Sequence, residues 1–333
     1  MALRQTLMPT LLDVATVTGA DGSILDLVEI LSMRNEMLDD MVFCEANDGL
    51  GHRSAIRTGL PTGTWRRAYG GVQPSKATSA PVRDTIGNYE AYGEVDKMVA
   101  DMNGNAARFR LTEEMAQIES MNQEIQSTLI YGNESADSAK FTGLAARFNT
   151  LSGSASSDNV INAGGVGSNL CSIYLVVWAP QTVCALYPKG SKAGLSINDK
   201  GAVTIENIDG VNGRMEAYRT HYQWMIGLHV RDWRYVVRIA NIDHAALTLT
   251  MATGPNLIDL MTQALEVVPS LSIGHAAFYM PKKLRSWTRR QIANRVINST
   301  LTMDQVAGKS VISFDNIPVR RVDSMLLTET ALV

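Results

Sequence analysis

The sequence contains little cysteine, and the cysteines that it has are not arranged for pairing. Cys44, Cys171 and Cys184 are odd in number and show no CxxC spacing. Disulfide frameworks use even sets of cysteines, and structural zinc sites use closely spaced thiols. The sequence therefore argues against both, and we expect three reduced thiols that are mostly buried.

Long apolar runs are also missing. No stretch approaches the roughly 20 apolar residues that a membrane-spanning helix needs. At the start of the chain, Pro9 and Asp13 interrupt the apolar residues that a secretory signal would require. We expect a protein that is made and kept in solution and has no membrane partner.

The chain has no large excess of either charge. Its formal net charge is −3 and its pI is near 6.0, whereas dedicated nucleic-acid-binding domains are usually basic. With 333 residues, of which 45% are hydrophobic and 19% charged, the chain can bury a sizeable core. The composition predicts a globular protein whose length suits about two domains.

The common motifs of catalytic and cofactor sites are incomplete. Residues 308–310 read Gly-Lys-Ser, but Met303 stands where a phosphate-binding loop needs glycine. Gly165 and Gly167 precede a strand pattern and lack the third glycine of a dinucleotide site. The five histidines contain no i, i+4 pair, and no GxSxG sequence occurs. We therefore predict no catalytic, cofactor-binding or metal-binding residue, although residues distant in sequence can still form a catalytic triad.

A strongly basic stretch is the most informative feature that the sequence does contain. Between Arg53 and Arg83 six cations occur without a single acidic residue. Turn signals at residues 59–61 and 70–71 divide the stretch into short extended pieces that are too polar to form their own core. We interpret it as a long basic hairpin that lies on another copy of the same protein.

The segment before this hairpin has the opposite charge. Between Asp13 and Asp48 nine acidic residues are accompanied by one cation, Arg34. Neighbouring segments of opposite sign favour pairing within or between chains. Trp65 can stack on a base, but an anchor on a neighbouring subunit is the favoured interpretation. The predicted intersubunit contact residues are Arg53, Arg57, Trp65, Arg66, Arg67, Lys76, Arg83, Glu36, Asp39 and Asp40.

Apolar periodicity predicts helices at both ends of the chain and in the middle. A first helix is expected after Ser23, and the clearest helix covers about 112–131, with Leu111, Met115, Ile118, Ile125 and Leu129 on one face. Residues 136–169, rich in Ser, Asn and Gly, are expected to form a long surface loop or insertion. Helices are also expected at about 256–266 and 281–297.

The pattern changes to strands after residue 169. Residues 172–178 form an apolar run typical of a buried strand, and 182–187 continue it. Further strands are predicted at 202–205, 216–228, 235–242 and 275–280, and a pair within 309–322.

A second group of cations lies on the predicted helix over 281–297. Its members are Lys282, Lys283, Arg285, Arg289, Arg290 and Arg295, interleaved with Leu284, Trp287, Ile292 and Val296. The favoured interpretation is an amphipathic helix with a solvated basic face. A patch facing nucleic acid or a partner is the alternative.

Several segments together resemble the major capsid proteins of tailed bacteriophages, closest to those of short-tailed phages. The resemblance lies in the acidic arm, the basic hairpin with Thr64-Trp-Arg-Arg-Ala-Tyr-Gly-Gly71, the long helix ending Ile130-Tyr-Gly-Asn133, and Phe141-Thr-Gly-Leu-Ala-Ala-Arg147. Its most specific part is residues 222–241, from Tyr-Gln-Trp-Met to Ile-Ala-Asn. The resemblance covers nearly the whole chain.

This resemblance implies an α+β protein of the Hong Kong 97-type fold. Mapped by order along the chain, residues 1–48 would be an N-terminal arm and 49–97 an extended loop. Residues 98–245 would form a peripheral domain with a spine helix at about 106–132, and 246–333 an axial domain with return strands.

The resemblance also implies a function. The chain would be a non-enzymatic coat protein that assembles as pentamers and hexamers into an icosahedral virion head around double-stranded DNA, in the cytoplasm of the bacterial host. Expected partners are other copies, a separate scaffolding protein, a portal at one vertex, packaged DNA bound non-specifically, and a decoration or cement protein where one exists. The alternatives are an encapsulin-like nanocompartment shell and a soluble homo-oligomeric enzyme.

Overall fold

The computed structural model describes residues 33–102, 106–207, 212–249, 254–294, 301–306 and 309–332. The helix predicted after Ser23 lies almost entirely outside these ranges. Arg295, from the second group of cations, also lies outside them. Among the described residues no helix is long and apolar enough to cross a membrane.

The described residues contain six α-helices and two short 3-10 helices. The α-helices are α1 (Met37–Asp40), α2 (Lys97–Asp101), α3 (Ala106–Tyr131), α4 (Leu144–Arg147), α5 (Leu257–Val267) and α6 (Lys282–Asn294). The 3-10 helices are Ala155–Asn159 and Trp233–Tyr235.

Thirteen strands belong to the same ranges. They are β1 (Phe43–Glu45), β2 (Gly51–Gly59), β3 (Thr78–Asp96), β4 (Val160–Asn162), β5 (Leu170–Trp178), β6 (Val183–Tyr187), β7 (Leu195–Glu206), β8 (Arg214–Val230), β9 (Val236–Asp243), β10 (His275–Met280), β11 (Leu301–Val306), β12 (Lys309–Phe314) and β13 (Ile317–Arg321). Each strand that was predicted from the sequence is present. The strands predicted at 172–178, 202–205 and 216–228 are longer than the apolar pattern indicated.

The chain divides into two compact units. One contains Asn88–Gln126 and Gly194–Met225, together with Met33. The other contains Arg34–Gly87, Ser127–Ala193 and Ile226–Val333. The assignment of arm, extended loop, peripheral domain and axial domain to sequence segments remains a prediction.

The first unit contains an antiparallel pair of strands and the beginning of α3. Strand β7 pairs with β8 from Leu195↔Trp224 to Glu206↔Arg214, with an irregularity between Asp199 and Ala202. Arg110 of α3 forms an ion pair with Asp199 across 2.8 Å. A small apolar cluster is formed by Val95, Val99, Ala100 and Phe109.

The second unit is organised around β5, in which every residue is buried. This strand pairs antiparallel with β10 on one side and with β9 on the other. A strand that is covered on both faces is largely apolar, which explains why β5 ends in the run Ile-Tyr-Leu-Val-Val-Trp. Leu257, Met261 and Ala264 of α5 and Leu284 of α6 belong to the same core.

The long helix predicted over 112–131 is confirmed, but its apolar face is only partly buried. The helix begins at Ala106, and Met121, Ile125 and Leu129 are buried. Leu111 and Met115 are exposed, at 57% and 60% of their surface. Phe109 is buried instead. Leu111 lies two positions further on, so it points about 200° away from Phe109 around the helix. The predicted face is therefore wrong at its N-terminal end.

Residues 136–169 are more structured than the predicted surface loop. They contain α4, a 3-10 helix and β4, which pairs in parallel with β9. Phe141, Leu144 and Phe148 are buried. Their contribution to the core was hidden in the sequence because Ser, Asn and Gly surround them.

A buried ion pair fixes the C-terminal segment to the second unit. Arg238 contacts Glu329 across 2.8 Å, and both side chains are almost fully buried. The Tyr131 hydroxyl donates to the other Glu329 oxygen at 2.7 Å. Arg238 also donates to the carbonyl of Phe148 at 2.8 Å and, through Nε, to the Ser172 hydroxyl at 3.1 Å.

We predict that Glu329→Ala strongly destabilises the unassembled subunit. The change leaves the Arg238 guanidinium buried without its counter-ion, which costs about 3 to 5 kcal/mol. The measurement is the free energy of unfolding in urea. Glu206→Ala is the control, because Glu206 and its partner Arg214 are both exposed, and such pairs contribute about 0 to 1 kcal/mol. Equal effects of the two changes would contradict the prediction.

Candidate intersubunit interface

The basic stretch forms an antiparallel hairpin of β2 and the first half of β3. Arg53 lies directly opposite Arg83, and Arg57 opposite Ser79. Burial alternates along both strands, as the two-residue period of a strand requires. The prediction of an extended basic hairpin is confirmed.

The hairpin presents its cations on one face. Arg53, Arg57 and Arg83 are all exposed, and they fall on the same side of the two strands. Like charges directly opposite each other destabilise a strand pair. An acidic surface placed against this face would relieve that repulsion.

The loop that connects β2 to β3 is exposed over nearly its whole length. Trp65 and Tyr69 are fully exposed, and Arg66, Arg67 and Lys76 are exposed as well. Tyr69 adopts a left-handed backbone conformation with φ 65°, in a turn closed by a 3.0 Å hydrogen bond from the Gly70 amide to the Arg67 carbonyl. Exposed Trp and Tyr side chains are large apolar surfaces that are typical of binding hot spots.

The base of the hairpin is held by a buried carboxylate. Asp84 accepts a 2.6 Å hydrogen bond from Nδ1 of His229 and forms a 2.8 Å ion pair with Arg147. Gly51 lies beside it, where a side chain would place its Cβ 2.6 Å from the Asp84 carbonyl oxygen. The two strands thus meet the sheet at a position that tolerates little change.

The same base is fixed on its other strand by Asn47. Its amide nitrogen donates to the Arg53 carbonyl at 2.7 Å, and its amide oxygen accepts from the Arg53 N–H at 2.9 Å. This pair of hydrogen bonds mimics one rung of a strand ladder. It sets the direction in which β2 leaves the sheet.

Burial and the ionic partners of Asp84 have opposite effects on its protonation. Burial by itself raises the pKa of the carboxyl, but the hydrogen bond to His229 and the Arg147 guanidinium lower it by more. The resulting pKa lies below the ordinary value of an aspartate. Asp84 is therefore charged at neutral pH.

Two of the three predicted acidic contact residues lie inside their own chain. Asp40 is buried and accepts hydrogen bonds from Arg320, at 2.6 and 2.9 Å, and from the Tyr279 hydroxyl at 2.9 Å. Glu36 is buried as well, forms an ion pair with Arg34, and accepts from the Arg321 N–H at 2.9 Å. Only Asp39 is exposed. Asp40 and Glu36 therefore stabilise the fold of their own subunit. Of the predicted intersubunit contact residues, Asp39 and those of the hairpin remain candidates.

A cleft of about 540 Å³ runs beside β2. It is lined by Ala55–Leu60, Gln181 and Arg231–Arg234. Arg234 is neutralised within the cleft by Asp232, through hydrogen bonds of 2.7 and 3.0 Å. Because Arg57 and Arg231 also line the cleft, its net charge is positive.

The partial catalytic motifs do not lie in the structural elements that such sites require. Lys309 and Ser310 belong to β12, not to a loop that opens a helix, and Gly165 and Gly167 lie between β4 and β5. Within the described ranges no group of three or more His, Cys, Asp or Glu side chains is placed to hold a metal ion. Cys44, Cys171 and Cys184 are free, and the latter two are buried.

The similarity to known proteins accounts for this arrangement. The family model of the major capsid protein GP7 matches residues 19–333. The chain belongs to this family. The sequence-based prediction of a phage major capsid protein is confirmed, and the protein is a component of the phage virion that associates with copies of itself.

Solved structures agree with the family. The cryo-EM structure of bacteriophage Epsilon15 is 38% identical, covers 98% of this chain and 97% of that chain, and has a TM-score of 0.75. The capsid of bacteriophage JBD30 is 11% identical, with coverages of 89% and 92% and a TM-score of 0.51. These matches confirm the predicted α+β Hong Kong 97-type capsid fold.

Two further comparisons add little. The SrpI encapsulin from Synechococcus elongatus is 12% identical, covers 70% of this chain and 95% of that chain, and has a TM-score of only 0.43. The search of curated proteins found no significant match.

The sequence did not reveal the residues that hold the base of the capsid protein's hairpin. Asp84, Arg147 and His229 are separated by 63 and 82 positions, and none belongs to a recognisable motif. The one available signal was the isolated acid Asp84, which ends the long basic stretch inside a strand pattern. A charged residue at a buried strand position requires a partner of opposite charge.

We predict that Asp84→Asn destabilises the unassembled subunit at neutral pH by about 3 to 5 kcal/mol, because a buried ion pair loses one partner. Since the folded pKa of Asp84 is depressed, its contribution is present above the pKa of the unfolded state, near 3.9, and is lost as the pH falls through the folded pKa. The measurement is the difference in unfolding free energy between wild type and variant at pH 7 and below pH 4.

Asp39→Asn is the matched control, because Asp39 is exposed. It should show almost no difference at either pH. A difference for Asp84→Asn that stays constant down to the lowest accessible pH would show that the carboxylate charge is not what holds the hairpin.

Proposed function

We propose that this capsid protein assembles as pentamers and hexamers into an icosahedral head around double-stranded DNA, and that its basic hairpin lies on a neighbouring subunit. The observation that carries the proposal is the exposed end of the hairpin, where Trp65 and Tyr69 are uncovered. A subunit that works alone gains nothing from an extended loop whose largest apolar side chains face water.

The charges of the hairpin favour a partner that carries acidic residues. Exposed carboxylates such as Asp39 and Asp48 are available on the chain, next to the hairpin in sequence. Exposed ion pairs contribute only about 0 to 1 kcal/mol each, so they set the register between subunits more than the affinity. Trp65 and Tyr69 supply the apolar contacts that determine affinity.

A closed shell repeats each such contact by symmetry. Individually weak contacts then add up over many subunits, while a single misplaced subunit can still leave. Rigid attachment at Asp84 and an uncovered loop end suit this use, because the hairpin reaches its neighbour in one fixed direction.

The remaining roles follow from the same proposal. The protein is structural and performs no catalysis. It assembles in the host cytoplasm with a scaffolding protein and a portal at one vertex, accepts a cement protein where one exists, and contacts the packaged DNA without sequence preference. Residues 1–48 act as the arm and 49–97 as the extended loop, while 98–245 and 246–333 form the peripheral and axial domains.

Reversal of the charges at the end of the hairpin tests the proposal. Arg66→Glu with Arg67→Glu should block the formation of shells while the subunit stays folded, because both side chains are exposed. The measurements are electron microscopy and sedimentation velocity, with circular dichroism as the check of folding.

Lys189→Glu with Lys192→Glu is the matched control. Both lysines are exposed between β6 and β7, and the change in net charge is the same. Shells are expected from the control and not from the hairpin variant. A normal yield of shells from the hairpin variant would remove the hairpin from the intersubunit contact.

Removal of the exposed indole provides an independent test. Trp65→Ala should raise the subunit concentration needed for assembly by roughly tenfold or more, because a hot-spot side chain contributes about 2 kcal/mol or more. Light scattering against subunit concentration measures the threshold. Trp65→Phe should recover most of the loss, and an unchanged threshold for Trp65→Ala would contradict the role of this residue.

A further inference from the structure

A second basic surface lies in the second compact unit, near the C-terminal end of the described chain and far in sequence from the hairpin strands. It is a cleft of about 350 Å³ between α6 and β13. The residues that line it are Lys282, Arg285, Ser286, Arg289, Arg290 and Arg321. No carboxylate of the described residues lines this cleft.

The helix presents these cations in a row. Lys282, Arg285 and Arg289 stand at positions i, i+3 and i+7, which share one helical face over about 10 Å. The opposite face is fixed in the core by Leu284 and by Gln291, whose amide oxygen accepts from the Leu257 N–H at 3.2 Å. The orientation of the cationic row is therefore set by the fold.

The cluster lacks enough negative charge to balance it. Burial is the largest cause that lowers the pKa of Arg285; Glu36 opposes this effect, and the neighbouring cations Arg34, Arg289 and Arg321 add to it. Nε of Arg285 is buried and has no hydrogen-bond partner. A buried donor without an acceptor is destabilising, and a bound anion that accepts from this guanidinium would offset part of that cost.

Nearby carboxylates are already engaged elsewhere. Asp323 holds Arg321 through two hydrogen bonds, and Glu36 is bound to Arg34 and to the Arg321 backbone. In the part of the chain that the structure describes, no carboxylate forms an ion pair with Arg285, Arg289 or Arg290. The cleft keeps a net positive charge at any pH near neutrality, because arginine does not deprotonate there.

We propose that this cleft binds the phosphate groups of a nucleic-acid backbone, an inference that rests on the proposed packaging of DNA. Arginine guanidinium groups match phosphate oxygens in paired hydrogen bonds. The Arg290 guanidinium stacks on Trp287 with 4.0 Å to the ring centroid, which orients its donors while leaving them available.

The chemistry of the cleft favours nucleic acid over an acidic protein. Duplex DNA carries about one negative charge per 1.7 Å of its axis, a density that suits several cations within 10 Å. Protein partners usually bind around a buried apolar anchor. The lining here consists of five cations and a serine, and it offers no apolar pocket.

The test measures binding of a short fluorescent DNA duplex to unassembled full-length subunits by anisotropy over a series of salt concentrations. The variant Arg289→Gln with Arg290→Gln is suited because both side chains are exposed. Removal of two phosphate contacts should lower the slope of log K against log salt by about 0.9 for each contact. Arg285→Gln provides a second variant that removes the donor in the middle of the row.

Lys189→Gln with Lys192→Gln is the control with the same change in charge, and it should leave the slope nearly unchanged. The proposal is overturned if the arginine variant binds DNA with the wild-type slope. It is also overturned if a glutamate-rich peptide binds the cleft more tightly than the duplex at the same salt concentration, since the partner would then be an acidic protein.

Electron microscopy of the same proteins separates this inference from the proposed function. Normal shells from the arginine variant together with weakened DNA binding support the cleft as a DNA contact. Wild-type subunits that bind DNA through the cleft but form no shells would contradict the proposed assembly and leave the cleft assignment standing.

Discussion

The buried contact between Asp84, His229 and Arg147 is the constraint on which the rest of the interface depends. It joins the hairpin to the sheet at the point where β3 enters the core. Beyond this point the hairpin has little other support, because the loop between β2 and β3 is exposed. The direction of the whole extension is therefore decided at its base, by Asp84 of β3 with its two partners and by the Asn47 hydrogen bonds on β2.

A subunit built in this way is incomplete by itself. The face that carries Arg53, Arg57 and Arg83 repels itself, and Trp65 remains in water. Both costs disappear when an acidic and partly apolar surface covers the hairpin. In the proposed head another copy of the chain supplies that surface, so the features that make the isolated subunit less stable would be those that favour the shell.

Local patterns in the sequence were enough to predict the elements of this fold. Turn residues and uninterrupted positive charge predicted the hairpin, and the apolar run over 172–178 predicted a strand buried on both faces. Patterns of this kind depend on neighbours a few positions apart. The Asp84 contact and the Arg238–Glu329 pair were not predictable, because each joins residues 63 or more positions apart. The exposure of Leu111 was likewise decided by packing of Phe109 and not by periodicity.

The most direct test of this account is the cryo-EM structure of the assembled shell at a resolution that shows side chains. The account predicts that Trp65 and Tyr69 are buried against a neighbouring subunit and that carboxylates of that neighbour lie within 4 Å or so of Arg66 and Arg67, the range of an ion pair. A hairpin that folds back onto its own chain, or whose end still faces solvent in the shell, would contradict it.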